Sequence, residues 1–198
     1  MARLAIFVDG GYIDALAMKI YGGIRVDYAK LADRVVSVVA ASTPEPLDLF
    51  RTYYYNCLPY QGNPPTEDES LRFASARGFH QALSRLKRFA VREGRLARVG
   101  TDSNGQPIFQ QKRIDLMLGV DFALLCGKGQ ISHAALIAGD SDFLPAIEVA
   151  KAEGVTIWLL HGPRHSPIDG KGTYHYELWD EADERYELTQ DFFNSVKR

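Results

Sequence analysis

The chain has only two cysteines in 198 residues. Cys57 and Cys126 are isolated, without a CxxC partner and in apolar or aromatic surroundings, so buried reduced thiols are expected rather than a disulfide or a zinc site. The histidines offer no metal spacing either. His161 and His165 are four apart, but Gly162 and Pro163 break any helix that would align them. No apolar run approaches membrane-spanning length, and the run from Leu4 to Val8 is too short for the core of a signal peptide. A cytoplasmic protein without a membrane partner is expected. Repeats and low-complexity stretches are missing too. With 46% apolar and 24% charged residues, the composition predicts one globular domain over residues 1–198.

Acids are scarce in one stretch and bases in another, which the formal charge of −2 conceals. From Ser70 to Arg113 the bases include Arg85, Arg88, Arg92, Arg95, Lys112 and Arg113, against only Glu93 and Asp102. From Gly172 onward the balance reverses, with Glu177, Asp180, Glu181, Asp183 and Glu184 among the acids. A near-neutral total can therefore hold one basic face suited to a phosphate backbone.

The most informative stretch is ALIAGDSDF, residues 135–143. An apolar run ending at Gly139 predicts a strand covered on both faces, and Phe143, Ile147 and Ala150 then follow at helical spacing. Asp140 and Asp142 thus fall at the carboxyl end of a strand, where open α/β sheets bind ligands. Taken alone, they read equally well as a helix cap and a turn residue. LAIFVDGG, residues 4–11, repeats the pattern and places Asp9 at a second strand end. Residues 47–56, with Tyr53, Tyr54 and Tyr55, and VTIWLL, residues 155–160, read as further strands. Four strong strands separated by helices predict a mostly parallel α/β sheet.

Between these strands, Tyr28, Leu31, Val35 and Val38 form a helix face that Asp27 caps and Pro44 and Pro46 close. Residues 61–70 read as a mobile loop. Phe79, Leu83, Leu86 and Ala90 predict a long helix carrying most of the arginines, and residues 95–111 predict a hairpin around Asn104-Gly105. The apolar helix of residues 112–126 carries Asp115 at its start and Asp121 six residues on, which separates them by about 120 degrees around the axis. Asp115 is the better site candidate. Residues 161–172, with Arg164 and Lys171, hang at a strand end as a phosphate-contacting flap or an uninvolved loop. A C-terminal helix near residues 187–197 is expected to dock through Leu188, Phe192, Phe193 and Val196.

Asp9, Asp115, Asp140 and Asp142 are all predicted on one edge of the sheet. Carboxylates unmatched by bases stay ionised together only with a counter-charge, and oxygen-only ligands favour Mg²⁺ or Mn²⁺. Beside basic surface, phosphodiester hydrolysis is the chemistry this suits.

FVDGG at Asp9, KRIDLMLGVD at residues 112–121 and GDSDF at 139–143 together resemble the NYN domain, in particular its LabA-like branch, which is related to PIN-domain nucleases. The resemblance implies a PIN-like three-layer α/β/α sandwich and a Mg²⁺-dependent ribonuclease, with metal roles for Asp9, Asp115, Asp140 and Asp142. Asp121 also matches a family acid. RNA is the implied partner, with DNA left open; a homodimer would extend the basic surface, and nothing in the chain requires one. One departure stands out: where the family motif continues with a polar residue and Asn, this chain has Gly11 and Tyr12. An RNA-binding or regulatory protein with little catalysis is therefore the second reading. A haloacid-dehalogenase-like phosphatase is disfavoured, because Asp9 is followed by Gly10 and Gly11 rather than by an acid two residues on.

Overall fold

In the computed structural model, which describes all 198 residues, the chain runs β1 (Ala2–Asp9), α1 (Gly10–Ala15), α2 (Tyr28–Ser42), β2 (Leu47–Leu58), α3 (Glu67–Ser84), β3 (Phe89–Thr101), β4 (Pro107–Lys112) and α4 (Ile114–Gly127). It continues with β5 (His133–Ile137), α5 (Leu144–Ala152), β6 (Thr156–His161), α6 (Tyr176–Glu181), β7 (Glu184–Glu187) and α7 (Gln190–Ser195). A widened turn, Leu16–Ile20, prolongs α1, and a tight turn, Ser141–Phe143, precedes α5.

The seven strands form one sheet in the order β4-β3-β2-β1-β5-β6-β7, parallel throughout except between β3 and β4. From β1 the chain moves outward through β2, β3 and β4, then returns through α4 to β5 on the other side. The reversal lies between β1 and β5. Side chains alternate across β1: Leu4, Ile6 and Val8 join a core with Leu31, Val35 and Phe193, while Ala5 and Phe7 join another with Leu118, Phe122 and Ile147. Helices α1, α2, α3 and α7 cover one face and α4, α5 and α6 the other, giving the expected three layers. No helix is long and apolar enough to cross a membrane.

The predicted long helix is shorter than its periodicity suggests. α3 ends at Ser84, and Ala90 belongs to β3, where it pairs with Tyr53. Arg85 caps the helix, and after a short turn Arg88, just before β3, takes a left-handed φ of 55° while its guanidinium holds Asp48 at 2.6 Å. Arg92, Arg95 and Arg98 consequently ride on a strand. The loop of residues 61–70 also contracts, because Thr66 and Glu69 make a capping box that starts α3 at Glu67. The hairpin is present and longer than predicted, with Arg95 opposite Lys112 and Thr101 opposite Pro107. Its turn is held by the Asp102 carboxylate, which accepts from the N–H groups of Asn104 and Gln106, both at 2.8 Å, and by Gly105 at φ 78°. α7 is shorter than the predicted helix, since Glu187 ends β7, and Leu188, Phe192, Phe193 and Val196, in and beside it, are buried. Tyr53, Tyr54 and Tyr55 are buried as well and pack the sheet. Both cysteines are free.

Candidate functional site

The strand reversal leaves a crevice at the carboxyl ends of β1 and β5, where a ligand meets no covering helix. A cleft of about 600 Å³ occupies it, walled by Asp9, Tyr12, Gln111, Asp140 and residues 172–175. Its two central acids are fixed by the chain that follows each. Asp9 caps α1, its Oδ1 accepting from the Tyr12 N–H at 3.1 Å, and Asp140 caps the next turn, its Oδ1 accepting from the Asp142 N–H at 3.1 Å.

Two glycines allow the walls to close. A Cβ on Gly10 would stand 2.5 Å from the Tyr54 ring, so only glycine lets α1 begin pressed against the sheet. A Cβ on Gly139 would stand 2.6 Å from both the Tyr12 ring and the Thr173 carbonyl oxygen. The same close approach lets the His175 N–H reach the Gly139 carbonyl at 2.9 Å. Tyr12 is a pillar of the cleft: its hydroxyl accepts from the Gly162 N–H at 2.9 Å, and burial pushes its pKa up to about 12. It stays protonated at neutral pH.

Burial pushes the Asp9 carboxyl up to about 6 against the lowering pull of the Tyr12 and Gly11 N–H groups, and the charges of Asp115 and Asp140 add to the rise. Asp115 is raised too, by partial burial and then by Asp140 and Asp142. No lysine or arginine forms an ion pair with any of these four acids. They are electrostatic neighbours with no counter-charge. Asp9 and Asp140 line the cleft itself, while no three carboxylate, imidazole or thiol groups converge closely enough to hold one ion. Asp115 is reached through Arg113, a non-glycine residue at φ 78°, the kind of backbone strain that gathers at functional sites.

The remaining sequence candidates divide by sheet edge. Asp121 is not in the cleft: Arg92 Nε holds its Oδ2 at 2.7 Å and the Tyr55 hydroxyl donates to the same oxygen at 3.0 Å. The helical angle between Asp115 and Asp121 accounts for this separation. Arg85 and Arg88 lie before β3, and Arg88 pairs with Asp48 at the amino end of β2, opposite the acids. Arg95, Lys112 and Arg113 lie on the acidic edge, since Arg95 pairs with Leu58 beyond the level at which Asp9 pairs with Tyr55. Arg164 and Lys171 lie in the segment after β6, whose Gly172 forms part of the wall. Sequence reasoning missed Gln111, Thr173, Tyr174 and His175. Gln111 adjoins the KRID motif, but nothing in the composition of residues 173–175 marks them as cleft residues.

The NYN domain family model matches residues 3–174, which contain all four acids. The chain belongs to the NYN domain family. Its seven-stranded α/β/α architecture is the PIN-like, nuclease-type fold that this membership implies. No curated protein matches the chain. The NYN segment supplies every cleft residue except His175, which the C-terminal segment adds to the wall.

Proposed function

We propose that this NYN domain is a metal-dependent ribonuclease that hydrolyses RNA phosphodiester bonds between Asp9 and Asp140. The observation that supports it is the uncompensated charge: carboxylates face one another around a cleft at the strand reversal, and Asp9 is held near 6. The donor set fits a divalent cation. It is all oxygen, and Mg²⁺ commonly takes one or two carboxylates and keeps several waters, so convergence of three protein groups is not required. Asp9 and Asp140 would hold the ion, with Asp115 and Asp142 adding negative charge from the rim.

Bound there, Mg²⁺ or Mn²⁺ would supply an activated water and stabilise charge on the phosphate oxygens. The chain's own part is placement. Arg95, Lys112 and Arg113 bring positive charge to the acidic edge, where it draws in the RNA backbone. Tyr12, locked to Gly162 and protonated, shapes the wall without exchanging protons near neutral pH. The motif resemblance to the LabA-like branch supports the same reading.

A second reading, RNA binding with little catalysis, draws on the spread of the four acids and on Tyr12 in place of the family Asn. Cleavage of labelled single-stranded and structured RNA, with Mg²⁺, Mn²⁺ or EDTA, separates the two. We expect metal-dependent cleavage that falls at least about 100-fold in Asp140→Asn, because a ligand is removed while Asn still caps the turn. Retention of RNA without cleavage by both proteins would leave the second reading.

A further inference from the structure

Behind Tyr12 lies a second depression of about 260 Å³, between α1 with its Leu16–Ile20 extension and the loop of residues 166–173. Tyr12, Gly172 and Thr173 wall both this depression and the acidic cleft, so a polymer leaving one enters the other. The chemistry changes across that shared wall. Leu16, Ile20 and Ile168 give the depression an apolar lining, and Lys19 and Lys171 add two ammonium groups. Neither lysine has an ion-pair partner. Asp169, the carboxylate on this rim, is turned to its own loop and accepts from the Lys171 N–H at 3.2 Å. Ile168 is 66% exposed, an apolar side chain left in water at the mouth of an apolar slot.

A nucleotide has the matching composition, with a base that prefers apolar or aromatic contact and a phosphate that seeks cations. We propose that this depression seats the base of a nucleotide neighbouring the scissile phosphate, with Lys19 and Lys171 on its phosphates, so that the substrate is an unpaired RNA strand. This rests on the ribonuclease reading of the cleft. A base can enter a slot away from its neighbours only after leaving its stack and its partner, which costs a few kcal/mol in a duplex and much less in a single strand. The strand then runs from the β3–β4 hairpin, whose Gln111 borders the cleft, past Asp9 and Asp140, and over Tyr12 into the slot.

The test is fluorescence anisotropy in EDTA, where metal-dependent cleavage is silent, using a labelled oligouridylate and a blunt RNA duplex of equal length. Three full-length variants accompany the wild type: Lys19→Gln/Lys171→Gln, Ile168→Ser, and Arg95→Gln/Lys112→Gln. All the residues in the first two variants are exposed, which leaves the fold intact. The expected result is wild-type preference for the single strand, with roughly tenfold weaker single-strand binding in each slot variant and unchanged duplex binding in Ile168→Ser. If the wild type and slot variants bind the oligouridylate equally while Arg95→Gln/Lys112→Gln weakens it, the slot is off the path and the cleft reading survives. Preference for the duplex would overturn the unpaired-strand assignment. No binding of either RNA by the wild type would remove both this inference and the reading beneath it.

Discussion

Asp115 and Asp121 stand six residues apart on α4 and live in opposite surroundings. Asp121 faces β2 and β3, where Arg92 neutralises it and the buried Tyr55 hydroxyl supplies a further hydrogen bond. Burial, and then the Asp121 charge, raises the Tyr55 phenol, so the hydroxyl stays protonated and donates at neutral pH. Asp115 faces the strand reversal, where the ionisable groups that raise its pKa are Asp140 and Asp142. One carboxylate ties a helix to a sheet; the other adds to an unbalanced charge. The lesson is that counter-charge, more than burial or position in a motif, separates a packing acid from a site acid.

The sharpest way to test this contrast is to remove the uncompensated charge where it is most buried. Asp9→Asn should abolish metal-dependent cleavage and at the same time stabilise the metal-free protein near pH 7. The sign follows from the direction of the shift. Asp9 rises from 3.8 to about 6 on folding, so its neutral form is favoured in the folded state. That contribution is complete below about pH 4 and is lost as pH rises through 6, an amount of about 3 kcal/mol. Asparagine keeps the cap and carries no charge. Thermal melts in EDTA should show the variant above wild type near pH 7 and level with it near pH 4, and Mg²⁺ should narrow the gap by stabilising wild type alone. A variant that melts below wild type at neutral pH in EDTA would mean that the carboxylate is already compensated.

On the other side of α4, Arg92→Met should cost about 1–2 kcal/mol, because Asp121 is left with Tyr55 alone. Chemical denaturation measures it. Replacing Asp121 by Leu in the same protein should recover most of the loss, since an apolar pair replaces an unpaired charge. If the single variant costs nothing, the ion pair is ornamental and the contrast between the two acids weakens.

Much of the contrast could be read from the sequence. The runs before Asp9 and Asp140 are apolar enough to demand burial on both faces, and burial on both faces makes them central parallel strands with acids at their carboxyl ends. The six-residue spacing on a helix alone separates Asp115 from Asp121. The basic stretch is harder, because Leu86 and Ala90 continue a helical period although the helix ends at Ser84 and Ala90 pairs with Tyr53 in the sheet. That pairing joins strands distant in the chain, and Arg88 just before β3 is tied to Asp48, 40 positions away. Residues 173–175 reach the cleft only because Gly139 lacks a side chain, a fact of three-dimensional packing that no local pattern encodes. The Thr66–Glu69 capping box, in contrast, is a local pattern that the sequence itself carries.

The mildest substitution is the most discriminating, because motif resemblance and geometry disagree about it. Asp121 matches a family acid, which argues for a part in the reaction, whereas its bonds to Arg92 and Tyr55 argue for a part in packing. Asp121→Asn keeps the shape and an oxygen to accept from Tyr55 and Arg92. It should lower stability by less than about 1 kcal/mol and change the cleavage rate less than about twofold, while Asp115→Asn, equally conservative, should weaken metal-dependent cleavage by roughly tenfold or more. Rates measured across a Mg²⁺ titration make the comparison cleanly. Asp115→Asn should need more metal to reach its maximum, and Asp121→Asn should follow the wild-type curve. If Asp121→Asn shifts the curve as far as Asp115→Asn does, then Arg92 must release its carboxylate when metal and RNA bind, and the ion pair is a latch on the site instead of a rivet in the fold.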